Sequence, residues 1–268
     1  MNALIDYTLY LADNALILGQ RNSEWCGHGP VLEQDIAITN ISLDLIGQAR
    51  NFYQYAAQLM NESNKLKETK AFSPKERGFG GEVSEDSLAY LRTEREFKNC
   101  LLVEQPIGDW GQTILRQFLY SQYQHLLFQQ LQNSKDEHIA AIAAKSLKEV
   151  TYHLRWSSEW VIRLGDGTEE SHQRMMKAVD ELWMYTGEMF QASNYELQAA
   201  SEGIAVDISL LKANWEEKVK EIFSEATLPF PEKVFMQTGG KEGKHTEYLG
   251  YILAELQYMQ RTYPGNEW

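Results

Sequence analysis

Proline and glycine, the residues that punctuate short strands, are few in this chain (6 and 18) and fall in clusters, with long stretches of helix formers between them. That distribution predicts a mostly helical fold. Leu4, Leu11 and Leu18, seven apart with Ala12, Ala15 and Leu16 on the same side, predict a first helix over 3–21. Asn22 to Gly29 is a polar break. Pro30 then stands where proline is best tolerated, at the first turn of a second helix from Val31 to about Met60 with Ile41, Leu45 and Phe52 on its apolar face. Residues 61–82 are polar and lysine-rich, end in Arg77-Gly78-Phe79-Gly80-Gly81, and predict a surface loop.

A shorter helix is expected from Ser84 to about Cys100, and Asp109 is placed to N-cap a third long helix over 110–132. Ala140, Ala143, Ala144, Leu147, Val150 and Leu154 mark a fourth over 135–164, stopped by Gly165-Asp166-Gly167. Further helices at about 169–190, 208–226 and 246–263 are appended to this core of about 3–164, with Pro229 and Pro231 bounding a loop. The expectation is an all-α, single-domain chain over 1–268, a four-helix bundle with additional C-terminal helices.

A formal charge of −13 argues against broad contact with nucleic acid or an anionic membrane. Cys26 and Cys100 are too far apart for a disulfide scaffold or a zinc knuckle, which fits a reducing cytoplasm. No apolar run approaches a membrane span, and Asp6 and Asp13 interrupt the N-terminal run that a signal peptide requires.

A four-helix bundle builds a di-iron site from inward carboxylates, with Glu-x-x-His on two helices. Here the second helix offers Asp44, but its i+3 position is Gly47. The fourth offers Glu149, whose i+3 position is Tyr152, with a histidine one residue late at His153. Asp13 on the first helix and His125 on the third complete a partial set. Its bland reading is a group of hydrogen-bonded polar side chains, with Lys145 as a partner for Glu149. Literal Glu-x-x-His matches at Glu169–His172 and Glu242–His245 fall at helix starts rather than mid-helix and are set aside. Basic residues gather at Lys65, Lys67, Lys70, Lys75 and Arg77, at Arg92, Arg95 and Lys98, and at Lys241 with Lys244; these are solvated surface or an anchor for an anionic cofactor. Walker, nucleophile-elbow and dinucleotide motifs are missing from the sequence.

Several segments, in order and spread over nearly the whole chain, resemble the PaaC family, the C-type component of the bacterial phenylacetyl-CoA epoxidase. These are Gln20-Arg21 with Ser23-Glu24-Trp25-Cys26-Gly27-His28, then Leu43 to Arg50, Leu102 to Pro106, Lys148-Glu149 with Tyr152-His153-Leu154-Arg155, and His245-Thr246-Glu247 before Leu249-Gly250. The resemblance implies a ferritin-like fold and membership of a multicomponent ring monooxygenase in phenylacetate catabolism. In such an assembly a sister A subunit holds the di-iron centre, and a reductase with FAD and an iron–sulfur cluster supplies electrons from NADPH. By the same resemblance this chain binds no cofactor itself, pairs with the A subunit, and touches the CoA ester through Glu96, Phe97, Lys98 and Asn99; an exposed aromatic and apolar surface rich in Trp and Tyr is the expected docking face. An autonomous di-iron oxygenase using Asp44, His125, Glu149 and His153, or a free-standing CoA-ester binding protein, are the alternatives.

Overall fold

In a computed structural model, which describes residues 2–68, 82–264 and 266, the chain is helical and, among the described residues, has no strand. The helices are α1 (Ala3–Ser23), α2 (Leu32–Glu68), α3 (Glu85–Tyr90), α4 (Leu101–Glu104), α5 (Trp110–Leu131), α6 (Glu137–Gly165), α7 (Glu169–Leu182), α8 (Asn194–Ser201), α9 (Lys212–Glu225), α10 (Glu247–Leu256) and α11 (Tyr258–Thr262). Among the long ones, α1 packs along α2, α5 along α6, and α2 against α6. Side chains tie α1 to α5: the Tyr10 and Tyr123 hydroxyls meet at 3.0 Å, and Asn22 Nδ2 donates to Gln117 Oε1 at 2.6 Å. The first helix is buried nearly all round, so its polar residues must find partners inside the fold.

Local signals act where expected. Asp109 caps α5 in a reciprocal box, accepting from Gln112 N at 3.0 Å while Gln112 Oε1 accepts from Asp109 N at 2.9 Å. Ile41, Leu45 and Phe52 are fully buried on the inner face of α2.

Three expectations are corrected. First, α2 runs on to Glu68, about two turns past Met60, so the start of the expected 61–82 loop is helical. There the Asn61 amide pairs with the Val83 backbone in both directions, at 2.8 and 2.9 Å, and fastens the returning chain to the helix. Lys70, Lys75 and Arg77 lie outside the described residues. Second, the helix expected from Ser84 to Cys100 stops at Tyr90. On α1, Asp13 Oδ2 accepts from Lys98 N at 2.8 Å and Asn14 Oδ1 from Cys100 N at 3.0 Å, which replaces the helical bonds those amides would otherwise make. Third, the helix expected over 169–190 ends at Leu182 and continues as two 3-10 turns, and α8 fills a stretch with no expected helix.

The surface also differs from expectation. Among the described residues no tryptophan is exposed: Trp156, Trp183 and Trp215 are buried, and Trp25, Trp110 and Trp160 are half-buried. Exposed apolar side chains are instead spread over the surface, among them Leu32, Ile36, Leu43 and Ile46 along α2, Leu197, Leu210 and Phe235, and Tyr251, Tyr258 and Tyr263 near the C-terminus. No helix among the described residues is long and apolar enough to cross a membrane.

Candidate functional site

Residues on adjacent turns of α2 and α6 form two polar rungs. In one, His153 Nε2 lies 3.0 Å from Asp44 Oδ2; in the other, Gln48 Nε2 donates to Glu149 Oε2 at 2.9 Å. Helix α5 extends the second rung, with Gln124 Nε2 donating to Gln48 Oε1 at 3.0 Å. The i,i+4 spacing of Asp44 with Gln48 and of Glu149 with His153 produces this ladder, because each pair shares a helix face. Glu149 is thus met by an amide and not by Lys145, which forms no ion pair among the described residues. His125, one residue from Gln124, joins neither rung; it is half-buried, and burial lowers its pKa and favours the neutral ring.

A di-iron centre needs carboxylates and imidazoles converging on one point. Here Asp44 and His153 form one rung and Glu149 is drawn into the other with Gln48; Gly47 and Tyr152 hold the i+3 positions, and among the described residues no three His, Cys, Asp or Glu side chains gather closely enough to hold a metal ion. The donor set does not fit that centre. His153 Nδ1 and Gln124 Oε1 are both buried without a partner, so polar capacity remains in this layer without converging acids to use it.

Asp13, the candidate on α1, has a different task. Fully buried, it receives Tyr53 Oη at 2.6 Å, Lys98 N at 2.8 Å, Arg92 Nη1 at 3.1 Å, and Arg92 Nη2 on its other oxygen. Burial disfavours the Arg92 charge, yet Asp13 outweighs it and raises the guanidinium pKa. The Arg92 guanidinium also sits 4.1 Å over the Phe97 ring. Sequence reading missed this pair because 79 residues separate its members.

The segment expected to touch a CoA ester is held from inside. Phe97 and Asn99 are fully buried, Asn99 Nδ2 donating to Glu104 Oε2 at 2.8 Å. Lys98 lies partly at the surface, 3.4 Å from Asp6 and 4.9 Å over the Tyr195 ring, while Glu96 is exposed and caps Thr93 N at 2.8 Å. Next to it opens a cleft of about 670 Å³ between Thr93-Glu94-Arg95 and α10–α11, with Leu253, Tyr258 and Arg261 on its far wall. Of the basic clusters, Arg92, Lys98 and Lys241 serve internal acids, Lys241 meeting buried Glu196 at 3.1 Å.

A second buried pair fixes the same region. His245 Nδ1 lies 2.7 Å from Glu104 Oε2 and its Nε2 lies 3.0 Å from the Phe97 carbonyl. A carbonyl and a carboxylate only accept, so both ring nitrogens donate and the ring is an imidazolium. Burial opposes that charge, but Glu104 and the Phe97 carbonyl prevail and raise the pKa. The Glu242–His245 match is therefore a chance pattern, as His245 pairs with Glu104. His172 of the other match bonds the Gly165 carbonyl at 2.7 Å.

Comparison with known proteins agrees with the helical frame. The family model described as "Phenylacetic acid catabolic protein" matches residues 1–268. One similar protein is the C component of the 1,2-phenylacetyl-CoA epoxidase of Escherichia coli (strain K12), 48% identical over 268 residues, which is all of both chains. With a match that spans every residue, the chain belongs to the phenylacetic acid catabolic protein family.

Proposed function

We propose that this chain is the non-catalytic C-type component of a phenylacetyl-CoA epoxidase in the cytoplasm, pairing with a di-iron A subunit and holding it in its working form. The observation that carries this reading is the engagement of Asp44, Glu149 and His153 in two side-chain rungs instead of a converging ligand set. The full-length likeness to an epoxidase component supports the assembly. On this reading the chain supplies shape and surface, while the partner supplies the metal chemistry and a reductase the electrons from NADPH through FAD and an iron–sulfur cluster.

The test is to purify the chain alone and together with the untagged A subunit, and to measure iron and oxygen-dependent turnover in each. Near-zero iron in the isolated chain, with stable co-purification and turnover only in the complex, is the expected result. Stoichiometric iron and turnover by the isolated chain would overturn it.

A contact with the CoA ester is favoured by one further observation: the cleft beside Glu96 presents Arg95, Arg261 and Tyr258, suited to a phosphate and a planar base. Calorimetry of the complex with a CoA ester, before and after Arg95→Ala, tests it. Unchanged affinity would remove this cleft from the substrate path.

A further inference from the structure

Residues 93–97 form a strap whose two ends are tied to one buried acid. At the first end Arg92 pairs with Asp13 through both Nη atoms, while Gln257 Nε2 and Arg261 Nη2 each donate to the Arg92 carbonyl at 3.0 Å. At the other, Lys98 N donates to Asp13 Oδ2 at 2.8 Å. Between these anchors the amides bond locally: Thr93 N donates to Glu96 Oε2 at 2.8 Å, Glu96 N to the Thr93 carbonyl at 2.9 Å and Phe97 N to the Glu94 carbonyl at 3.1 Å. Thr93, Glu94 and Arg95 are also the near wall of the cleft of about 670 Å³.

His245, just before α10, reaches across to the strap. Its Nε2 lies 3.0 Å from the Phe97 carbonyl and its Nδ1 2.7 Å from Glu104 Oε2, with both side chains fully buried. Glu104 has other donors: Thr246 N and Oγ1 on one oxygen at 2.7 and 2.8 Å, and Asn99 Nδ2 on the other at 2.8 Å. The carboxylate therefore keeps its hold on the start of α10 whatever the state of the ring. The strap has less to fall back on. Beside His245, Gly243 at φ +77° sets bare backbone against the Arg95 carbonyl, where a Cβ would collide.

We infer that His245 is a proton-operated latch: as an imidazolium it holds the 93–97 strap, and with it one wall of the cleft, against the α10 side, and loss of its proton to solvent frees the strap between its two Asp13 anchors. A neutral ring keeps one N–H, and the carboxylate, the stronger acceptor, retains it. Nε2 then turns a lone pair toward the Phe97 carbonyl oxygen, and attraction becomes repulsion. The charges around the ring are Glu104 on α4, Asp13 and Arg21 on α1 and Arg92 at the strap's end, with the Tyr185 and Tyr248 phenols nearby and exposed Lys244 and Glu247 flanking it in sequence. Carboxyl, guanidinium, phenol and ammonium groups ordinarily titrate outside pH 6 to 9, which leaves the imidazole to change charge in that window. The latch acts on the shape of the cleft and does not depend on what occupies it.

The test follows the full chain from pH 6 to 9 with two readouts: nitrogen NMR of the His245 ring, which reports its charge, and amide exchange at Thr93, Glu96 and Phe97, corrected for the intrinsic rise with pH. In wild type the ring is expected to be an imidazolium at pH 6. As it loses its proton, exchange of the three strap amides should rise by about tenfold or more, the loss of one charge-assisted hydrogen bond, with the same midpoint. The Lys98 and Cys100 amides, held by Asp13 and Asn14, should stay protected. His245→Gln should show the loosened strap at every pH, with no step. Should that variant fail to fold, the coincidence of the two wild-type midpoints decides. A ring already neutral at pH 6, a proton lost without loosening of the strap, or a step that survives in His245→Gln overturns the latch. So does loosening of Lys98 and Cys100 together with the strap, which would be general unfolding.

Discussion

Replacing Arg92 with Met leaves the Asp13 carboxylate buried with two donors, Tyr53 Oη at 2.6 Å and Lys98 N at 2.8 Å, where it had a bidentate cation as well. Removing one partner of a buried ion pair typically costs about 3–5 kcal/mol, because the other charge remains out of water. The lower half of that range is expected for Arg92→Met, since two neutral donors still stabilise the carboxylate. Asp13→Asn is expected to cost more. It strands a guanidinium whose side chain is 8% exposed and also weakens the acceptor for Lys98 N. The double variant Asp13→Asn/Arg92→Met is expected to be less harmful than the sum by about 2 kcal/mol, as the members of one network are not independent. Urea unfolding followed by circular dichroism gives all three values, and amide exchange at Lys98 gives a local readout. Single costs below about 1 kcal/mol, or strict additivity, would show that the pair does not anchor the 97–100 segment.

The raised pKa of His245 sets a pH dependence with a definite sign. Its ion pair with Glu104 contributes stability that is fully present below the unfolded-state value of about 6.5 and is lost as pH rises through the higher folded value. Urea midpoints measured from pH 6 to 9 should therefore fall more steeply for wild type than for His245→Gln; parallel curves would contradict an imidazolium. Truncating Trp215, which is 2% exposed and donates to the Leu119 carbonyl at 3.0 Å, to Ala should cost about 3–5 kcal/mol in the same unfolding assay. At the end of α6, a Cβ on Gly165 would collide with the Ala226 backbone oxygen, so Gly165→Ala should destabilise by about 1–3 kcal/mol and separate α6 from α9, measurable as a lower melting temperature.

Much of the frame is legible in local pattern. Apolar spacing locates α1, α2 and α6, and Asp109 marks the start of α5, because periodicity and capping act within a few turns. Local pattern also shows that Gly47 and Tyr152 stand where a di-iron bundle places histidines. It does not show what each acid does instead. Asp44 meets His153 across 109 residues, Glu149 meets Gln48 across 101, and Glu104 meets His245 across 141. Those pairings arise only when α2 lies along α6 and the α10 segment folds back on α4.

Tertiary structure likewise decided the fate of residues 91–100. Their sequence permits a helix, yet Asp13 and Asn14, forced into the interior by the apolar surroundings of α1, have to find donors and take the Lys98 and Cys100 amides. By itself, then, the sequence determined where the long helices lie and that Gly47 and Tyr152 stand at the i+3 positions of Asp44 and Glu149, since both depend on residue type and short spacing. Which buried charges neutralise one another, and which face of α2 stays exposed, depended on packing between distant helices, because burial and hydrogen-bond partners are properties of the assembled core.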